Sequence, residues 1–588
     1  AHLFEVRLTV AQPDPAGQVF AMPAWIPGSY MIRDYAKHVV SARAESDGRD
    51  IALTKLDKSR WQAAASDREL TLILEIYAHD ESVRGAHLDH THAFFNGTCV
   101  FPAVIGQEDV ACELDINAPE KPVGKNWRVA TSMHSKTAEG YAFGCYEAAD
   151  YAELIDHPVE IGELAIGEFE VDGIPHAIAI RGRTRVDMAR LCHDLQTLCE
   201  QHMRLLGKPD DLDRYLFLLH APGSGYGGLE HRWSSSLVCS RDHLPQRGET
   251  EVSDGYRTLL GLASHEYFHL WNVKRLKPAA FTPYDLSTEV HTELLWVFEG
   301  ITSYYDDLAL VRSGLITENS YLELLGMTIT RVIRGGGRHR QSVAESSFYA
   351  WTKFYKQDAN ATNAVVSYYA KGALVALVLD LKLRSETNSQ TTLDDVMREC
   401  WRRWGDGTEG MPEDGLEQVC AAIADVDLAD FFAANVRGTG ELPLRKLLQT
   451  HGIDYQLRPA SGSNDKGGKP SAGKLPLPLW LGANLSDQGG KLAFSAVMNG
   501  GPAEAAGVAP GDVAVALDGV AFTPANCDRR LRSYHAGDKL ELVLFRGDEL
   551  ITTRIVMASA PEDTCYLQLA DEADPGAEAA RLGWLHGD

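Results

Sequence analysis

Hydrophobic periodicity changes along this chain in a way that no single fold accommodates. From residue 1 to about 180, apolar and polar residues alternate in short runs such as Leu3-Phe4-Glu5-Val6-Arg7-Leu8-Thr9-Val10 and Leu70-Thr71-Leu72-Ile73-Leu74-Glu75-Ile76, broken by Gly, Pro and Asp. A period of two suits strands with one buried face, so this stretch predicts an antiparallel β domain. Near Thr184 the apolar residues begin to recur at helical spacing and do so to about 455, which predicts a mainly helical domain. Residues 459–474 are rich in Gly, Ser and Lys, have no means of forming a core, and read as a flexible linker. Strand-like segments return from Leu475 to about Val556, with Gly501 to Val508 as a short helix. The expected fold class is multidomain α+β: a β domain over 1–182, a helical domain over 183–458, the linker 459–474, a small module over 475–560 and a tail over 561–588.

Charge and cysteine usage narrow the function. With 56 Lys and Arg against 82 Asp and Glu, the net charge of −26 repels phosphate backbones and anionic lipid, so nucleic acid and membrane are not expected partners. The longest apolar run, Gly372 to Leu381, is about half of the roughly 20 residues that span a bilayer. Ten cysteines form no CxxC pair, so a metal would have to be held by His and carboxylates. The chain begins at Ala1 within a strand-like run and without an initiator Met, which suggests trimming. A cytoplasmic location is the expectation, with periplasm or secretion as alternatives.

Such a metal set is present in His265-Glu266-Tyr267-Phe268-His269, which follows the helical-looking run Tyr256 to Ser264. Helix residues four apart share a face at about 5–6 Å, so both imidazoles reach one ion. Glu266 leans toward the open coordination position, where it serves as base to a water activated by the ion. Catalytic zinc needs a third protein ligand. Leu294 to Tyr305 reads as a second helix, apolar apart from Glu299, and a lone acid there carries a desolvation cost unless it is paired or metal-bound. Glu299 is therefore the expected third ligand, ahead of Glu289 and Glu293 in more polar surroundings. Asp306, seven residues on and on the same helical face, is the candidate acid behind a ligand imidazole, with a plain surface Asp as the alternative.

His-Glu-x-x-His-x-Trp (His265 to Trp271) followed by Trp-x-x-Glu-Gly (Trp296 to Gly300) resembles the gluzincin aminopeptidases of the aminopeptidase N superfamily. The closer resemblance is to the glycyl aminopeptidase family. It extends from Trp25-Ile26-Pro27-Gly28-Ser29-Tyr30-Met31-Ile32-Arg33-Asp34-Tyr35, through His265 to Asn272, to a C-terminal module similar to a PDZ domain. Residues 270–298, 29 in number, separate His269 from Glu299, a longer spacer than in aminopeptidase N and usual for the glycyl family. The resemblance implies a thermolysin-like catalytic domain and one Zn²⁺ per chain. It also implies that Tyr369 of Tyr369-Ala370-Lys371-Gly372 stabilises an oxyanion, with Tyr368 as competitor. Gly227-Gly228-Leu229-Glu230-His231 resembles the exopeptidase motif Gly-x-Met-Glu-Asn, implying that Glu230, with Gly227 and Gly228, binds the substrate's free α-amine. Leu and His here replace Met and Asn.

Other signals carry less. His87-Leu88-Asp89-His90-Thr91-His92 is a dense donor cluster, read as a structural polar cluster because it lacks a glutamate base. Gly335-Gly336-Gly337-Arg338 reads as a loop. The PDZ-like module, with Leu479 to Gly482 as its carboxylate loop, would bind peptide C-termini, or would merely cover. The expected activity is removal of N-terminal Gly or Ala from peptides. A thermolysin-like endopeptidase, a lipid-epoxide hydrolase and a PDZ-based adaptor are the alternatives.

Overall fold

The computed structural model describes residues 2–119, 124, 126–471, 473, 475–572 and 574–587. They group into two compact units, residues 1–290 with 400–412 and residues 291–399 with 413–588.

In the first unit the alternating segments form antiparallel sheets. Leu3–Val10 pairs with Leu70–Tyr77, Leu3 opposite Tyr77 and Val10 opposite Leu70. Leu70, Leu72, Leu74 and Ile76 are at most 1% exposed, while Glu75 and Tyr77 on the alternate positions face outward. Together with Phe20, Trp61, Phe95 and Phe101 they build the core of this region. Each such side chain contributes about 1.5–3 kcal/mol on burial.

One boundary differs from expectation. Leu164–Val171 and Ile174–Arg181, assigned above to the β domain, belong to a five-stranded mixed sheet with Tyr215–His220, Ser234–Cys239 and Tyr226–Glu230. Ile174–Arg181 runs parallel to Tyr215–His220, which runs parallel to Ser234–Cys239. Parallel pairing requires a crossover, and the helix Met188–Leu206 supplies it. Alternation identifies a strand but not the sheet it joins, so the sequence could not place this break. The outermost strand, Tyr226–Glu230, lies antiparallel to Ser234–Cys239 with Glu230 opposite Ser235.

The second unit is built on the helices Ile301–Arg312, Glu318–Arg334 and Ala370–Thr387. Ala370–Thr387 is buried over nearly its whole length, and its one interior acid, Asp380, accepts from Tyr304 Oη at 2.6 Å, Leu393 N at 2.9 Å and Arg384 Nε at 3.1 Å. The segment expected as a flexible linker is tied down through residue 471; residues 472 and 474 of that segment lie outside the described residues. Asp465 accepts from Ser461 N at 2.8 Å, Gly467 N at 2.9 Å and Arg458 Nη1 at 2.6 Å, and Gly468 N donates to Cys565 O at 2.8 Å. Polar bonds replace the apolar core that its composition lacks. The expected tail is likewise structural. Thr564–Leu569 pairs antiparallel with Ile453–Arg458, and the helix Pro575–His586 buries Trp584, whose Nε1 donates to Tyr304 Oη at 2.8 Å. Between them, strands from Ala483 to Val556 form a six-stranded sheet with its own core around Phe494, Leu517, Phe522 and Leu542. None of the ten cysteines is joined in a disulfide. No helix among the described residues is long and apolar enough to cross a membrane.

Candidate active site

Asp254–Phe268 is a helix opened by Ser253, whose Oγ accepts from Tyr256 N at 3.1 Å. One face is anchored by Tyr267, which packs on Tyr215 and Phe217 and bonds His176 Nε2 at 2.9 Å, and by Ser264 Oγ, 2.8 Å from His202 Nε2. His265 lies in the last turn and His269 at the C-cap, still in right-handed helical conformation. Their ring centroids are 4.7 Å apart. His269 is 1% exposed, and its Nδ1 donates to Asn272 O at 2.7 Å, which fixes the tautomer and leaves Nε2 the nitrogen able to ligate a metal. Sequence reasoning sought an acid for such a role in Asp306 and missed Asn272, which acts through its carbonyl. Asp306 is half-buried on the helix Ile301–Arg312 of the other unit, where Oδ1 accepts from Asp307 N at 2.6 Å.

Glu230 and Glu266 are brought to the same place in the first unit. One ligand atom from each of Glu230, Glu266 and His269 lies within 4.8 Å of the others. Glu230 is 3% exposed, and its Oε1 has no hydrogen-bond partner. Glycines shape the walls around both acids. A Cβ on Gly228 would stand 1.9 Å from Glu266 Oε1, and one on Gly28 would stand 2.5 Å from both Glu230 carboxylate oxygens. Gly28 also has φ +89°, a backbone conformation that side chains disfavour. Gly28 lies within the motif Trp25–Tyr35, but no local signal in the sequence gives it a role.

The strand end bearing Glu230 is pinned by a buried ionic cluster. Asp156 accepts from Lys274 Nζ at 2.7 Å, stands 3.1 Å from His231 Nδ1 and accepts from Arg232 N at 3.0 Å. Burial pushes the Asp156 carboxyl up, but Lys274 and His231 outweigh it and hold the group below the usual carboxylate range. Burial in turn lowers the His231 imidazole despite Asp156. None of this network was visible in sequence, because its members are up to 118 positions apart.

In the second unit Glu299 is 2% exposed within a π-helical turn, Trp296–Gly300, that precedes Ile301–Arg312. Trp296 N donates to Ser347 Oγ at 2.9 Å. Glu293 is exposed and Glu289 half-buried, as their polar neighbours suggested. A Cβ on Gly300 would meet Gly372 Cα at 2.7 Å and Tyr368 O at 2.7 Å. The two motif glycines thus touch, bringing the Tyr368–Tyr369 turn against the segment that carries Glu299. Tyr368 is fully buried; burial first, then Tyr355 and Glu299, pushes its phenol well above its ordinary value. Tyr369 is half-buried at the N-cap of Ala370–Thr387, and its Oη bonds Tyr355 Oη at 2.8 Å. Tyr355, also 3.3 Å from Tyr368 Oη, was missed by sequence reasoning.

Residues 1–163 match the family model of the Peptidase M61 N-terminal domain, and residues 258–375 match that of the M61 glycyl aminopeptidases. A crystal structure described as an aminopeptidase N family protein, from Idiomarina loihiensis, is 41% identical and superposes with TM-score 0.95 over 99% of this chain and 97% of its own. The chain belongs to the M61 glycyl aminopeptidase family. This M61 protein is therefore a metallopeptidase, as the motifs implied. The M1 zinc metallopeptidase of Deinococcus radiodurans is 12% identical, with TM-score 0.45 over 75% of this chain and 91% of its own. A variant of it bound to a Tyr-Ser-Ala substrate gives TM-score 0.43 at 12% identity, over 75% of this chain and 91% of its own. A search of curated proteins gave no match. The M61 segment 258–375 contains His265, Glu266, His269, Glu299 and Tyr369, whereas Glu230 falls between the two matched segments.

Proposed function

We propose that this M61 protein is a zinc aminopeptidase that removes an N-terminal residue, glycine or alanine first, from peptides. The observation that carries this reading is Glu230: a buried carboxylate with an unpartnered oxygen, set beside the glutamate of the His-Glu-x-x-His motif. Such a group calls for a cation, and a substrate's α-ammonium supplies one at the distance of a single residue from the scissile bond.

His265, His269 and Glu299 would hold one zinc per chain. Two imidazoles and a carboxylate are the donor set of catalytic zinc, and His269 is already oriented through its Nδ1. When bound, zinc lowers the pKa of water and polarises a carbonyl. Glu266 takes the proton of the attacking water and delivers it to the leaving amine. Tyr369 donates from Oη to the oxygen that gains charge; it is the half-buried member of a pair whose other tyrosine is fully buried, and Tyr355 orients it. Glu230 fixes the α-amine, Gly227 leaves room for the substrate backbone along the outer strand, and Gly228 lets the Glu266 carboxylate come up against that strand. A thermolysin-like endopeptidase would share the zinc residues but would have no use for Glu230.

For the module within 475–560 we propose a PDZ domain that takes peptide C-termini. In support, the Leu479–Gly482 segment packs on the short helix Pro502–Ala505: Ala503 N donates to Leu481 O at 2.8 Å, and a Cβ on Gly482 would lie 2.7 Å from Gly501 Cα. Turnover of Gly-p-nitroanilide and of paired free and N-acetylated glycyl peptides tests the enzyme reading. Free-amine substrates should be cleaved and blocked ones spared, and Glu266→Gln should cut kcat about 10²–10⁴-fold while retaining zinc. Equal turnover of blocked peptides would favour the endopeptidase.

A further inference from the structure

The histidine cluster of the first unit, read from sequence as structural, does not behave as one in the fold. His87 and His92 are 2% and 3% exposed, and their rings stack with centroids 4.4 Å apart. Structural polar clusters satisfy their own donors and acceptors. Here Nδ1 and Nε2 of His87 and Nε2 of His92 are buried without a hydrogen-bond partner. His220, whose Nδ1 is also unpartnered, lines a cavity of about 20 Å³ together with His87, Glu81, Glu160 and Arg181. That is room for one or two water-sized occupants.

We propose that His87, His92 and Glu81 form a second divalent-metal site, of the zinc or copper(II) class, separate from the peptidase residues. One ligand atom from each of the three lies within 4.8 Å of the others, so small side-chain rotations bring them to one ion. Two imidazoles and a carboxylate suit zinc or copper(II) rather than calcium or magnesium. The outer support is also present. Asp89 stands 3.5 Å from His87 Nε2 and 3.5 Å from His92 Nδ1, and Thr91 Oγ1 is 3.1 Å from the same His92 nitrogen. Thr91 thus engages His92 Nδ1, and the Asp89 carboxylate stands beside His87 Nε2 without bonding it in the metal-free geometry, which leaves His87 Nδ1 and His92 Nε2 for the ion. Arg181 is the competitor. Its Nη1 is 3.9 Å from Glu81 Oε1 and its Nε is 3.3 Å from Glu160 Oε1, so metal binding exchanges a guanidinium neighbour of Glu81 for the ion.

The test uses the full chain, stripped by a chelator, equilibrated with excess Zn²⁺ or Cu²⁺ and desalted. The wild type should retain about two equivalents per chain and His87→Gln/His92→Gln about one, with kcat/KM on Gly-p-nitroanilide unchanged. One equivalent in the wild type, or two in the double variant, overturns the site. Should the double variant fail to fold, Glu81→Gln decides, since that side chain is 55% exposed and its loss spares the fold. It should weaken the second equivalent roughly tenfold or more, and Arg181→Gln should strengthen it. Unchanged affinity in Glu81→Gln overturns the proposal. In the copper form, nitrogen hyperfine structure in the electron paramagnetic resonance spectrum should diminish in His92→Gln, and an identical spectrum would count against imidazole ligation there.

Discussion

Gly228 shows how much a single hydrogen atom can decide at the residue scale. Any side chain there would put a Cβ 1.9 Å from Glu266 Oε1, so the carboxylate must move by more than an ångström. Displacement of that size costs on the order of 10²-fold in rate. Gly228→Ala is therefore expected to lower kcat about 10²-fold with little change in unfolding temperature, read by steady-state kinetics beside calorimetry. Asp156 carries a prediction of a different kind. Its removal leaves Lys274, 5% exposed, without its partner, and breaking such a buried pair costs about 3–5 kcal/mol, here nearer the lower figure because the Asp156 side chain is 17% exposed. Its carboxyl titrates lower folded than unfolded. The stabilisation is therefore full above the unfolded value of about 4 and is lost as pH falls through the folded value. Denaturant titrations of wild type and Asp156→Asn should differ most at neutral pH, begin to draw together below about pH 4 and meet only as pH falls through the lower folded value. The histidine and glutamate identities of the motif were legible because four-residue spacing is a local property. The choice between Tyr368 and Tyr369 was not, because it depends on which phenol the surrounding helices bury.

At the element scale, two helical segments meet through a glycine on each. Gly300 belongs to the turn that carries Glu299, and Gly372 to the helix that Tyr369 caps. A methyl on Gly300 would come within 2.7 Å of Gly372 Cα, while one on Gly372 would come within 3.0 Å of Gly300 Cα. Both substitutions overpack, at about 1–3 kcal/mol. Gly300→Ala should be the more damaging, lowering metal content and activity together, while Gly372→Ala keeps more of each; metal analysis with kinetics ranks them. The apolar run from Leu294 announced the helix around Glu299, since one acid in such company needs a reason. It did not announce the π turn at Trp296–Gly300, a local widening frequent at functional sites. That turn follows from how the segment seats on Ser347 and Gly372 rather than from its own period.

For the whole molecule, the C-terminal residues matter more than their position suggests. Thr564–Leu569 completes a two-stranded sheet with Ile453–Arg458, and Trp584 is fully buried. Trp584→Ala should cost about 3–5 kcal/mol, seen as a lowered unfolding temperature in calorimetry, whereas a surface helix would tolerate the change. Deleting residues 561–588 should leave the second unit poorly folded while the sheet around Phe494 keeps its own core. Domain texture was readable from periodicity. Where the chain doubles back was not, because strand pairing across more than a hundred residues leaves no local signature.

The sequence by itself determined the chemistry on offer: a helix presenting two imidazoles and a base, an isolated acid downstream, and a charge balance unsuited to nucleic acid. These are properties of spacing and composition, which need no long-range contact. Tertiary structure alone decided that Glu230 sits beside Glu266 and that Gly28 walls it in. It also decided that Asp156 is shared by Lys274 and His231, and that buried histidines of the N-terminal region keep unpartnered nitrogens. Each depends on bringing together segments remote in sequence, and only the packing of the core selects which remote segments meet.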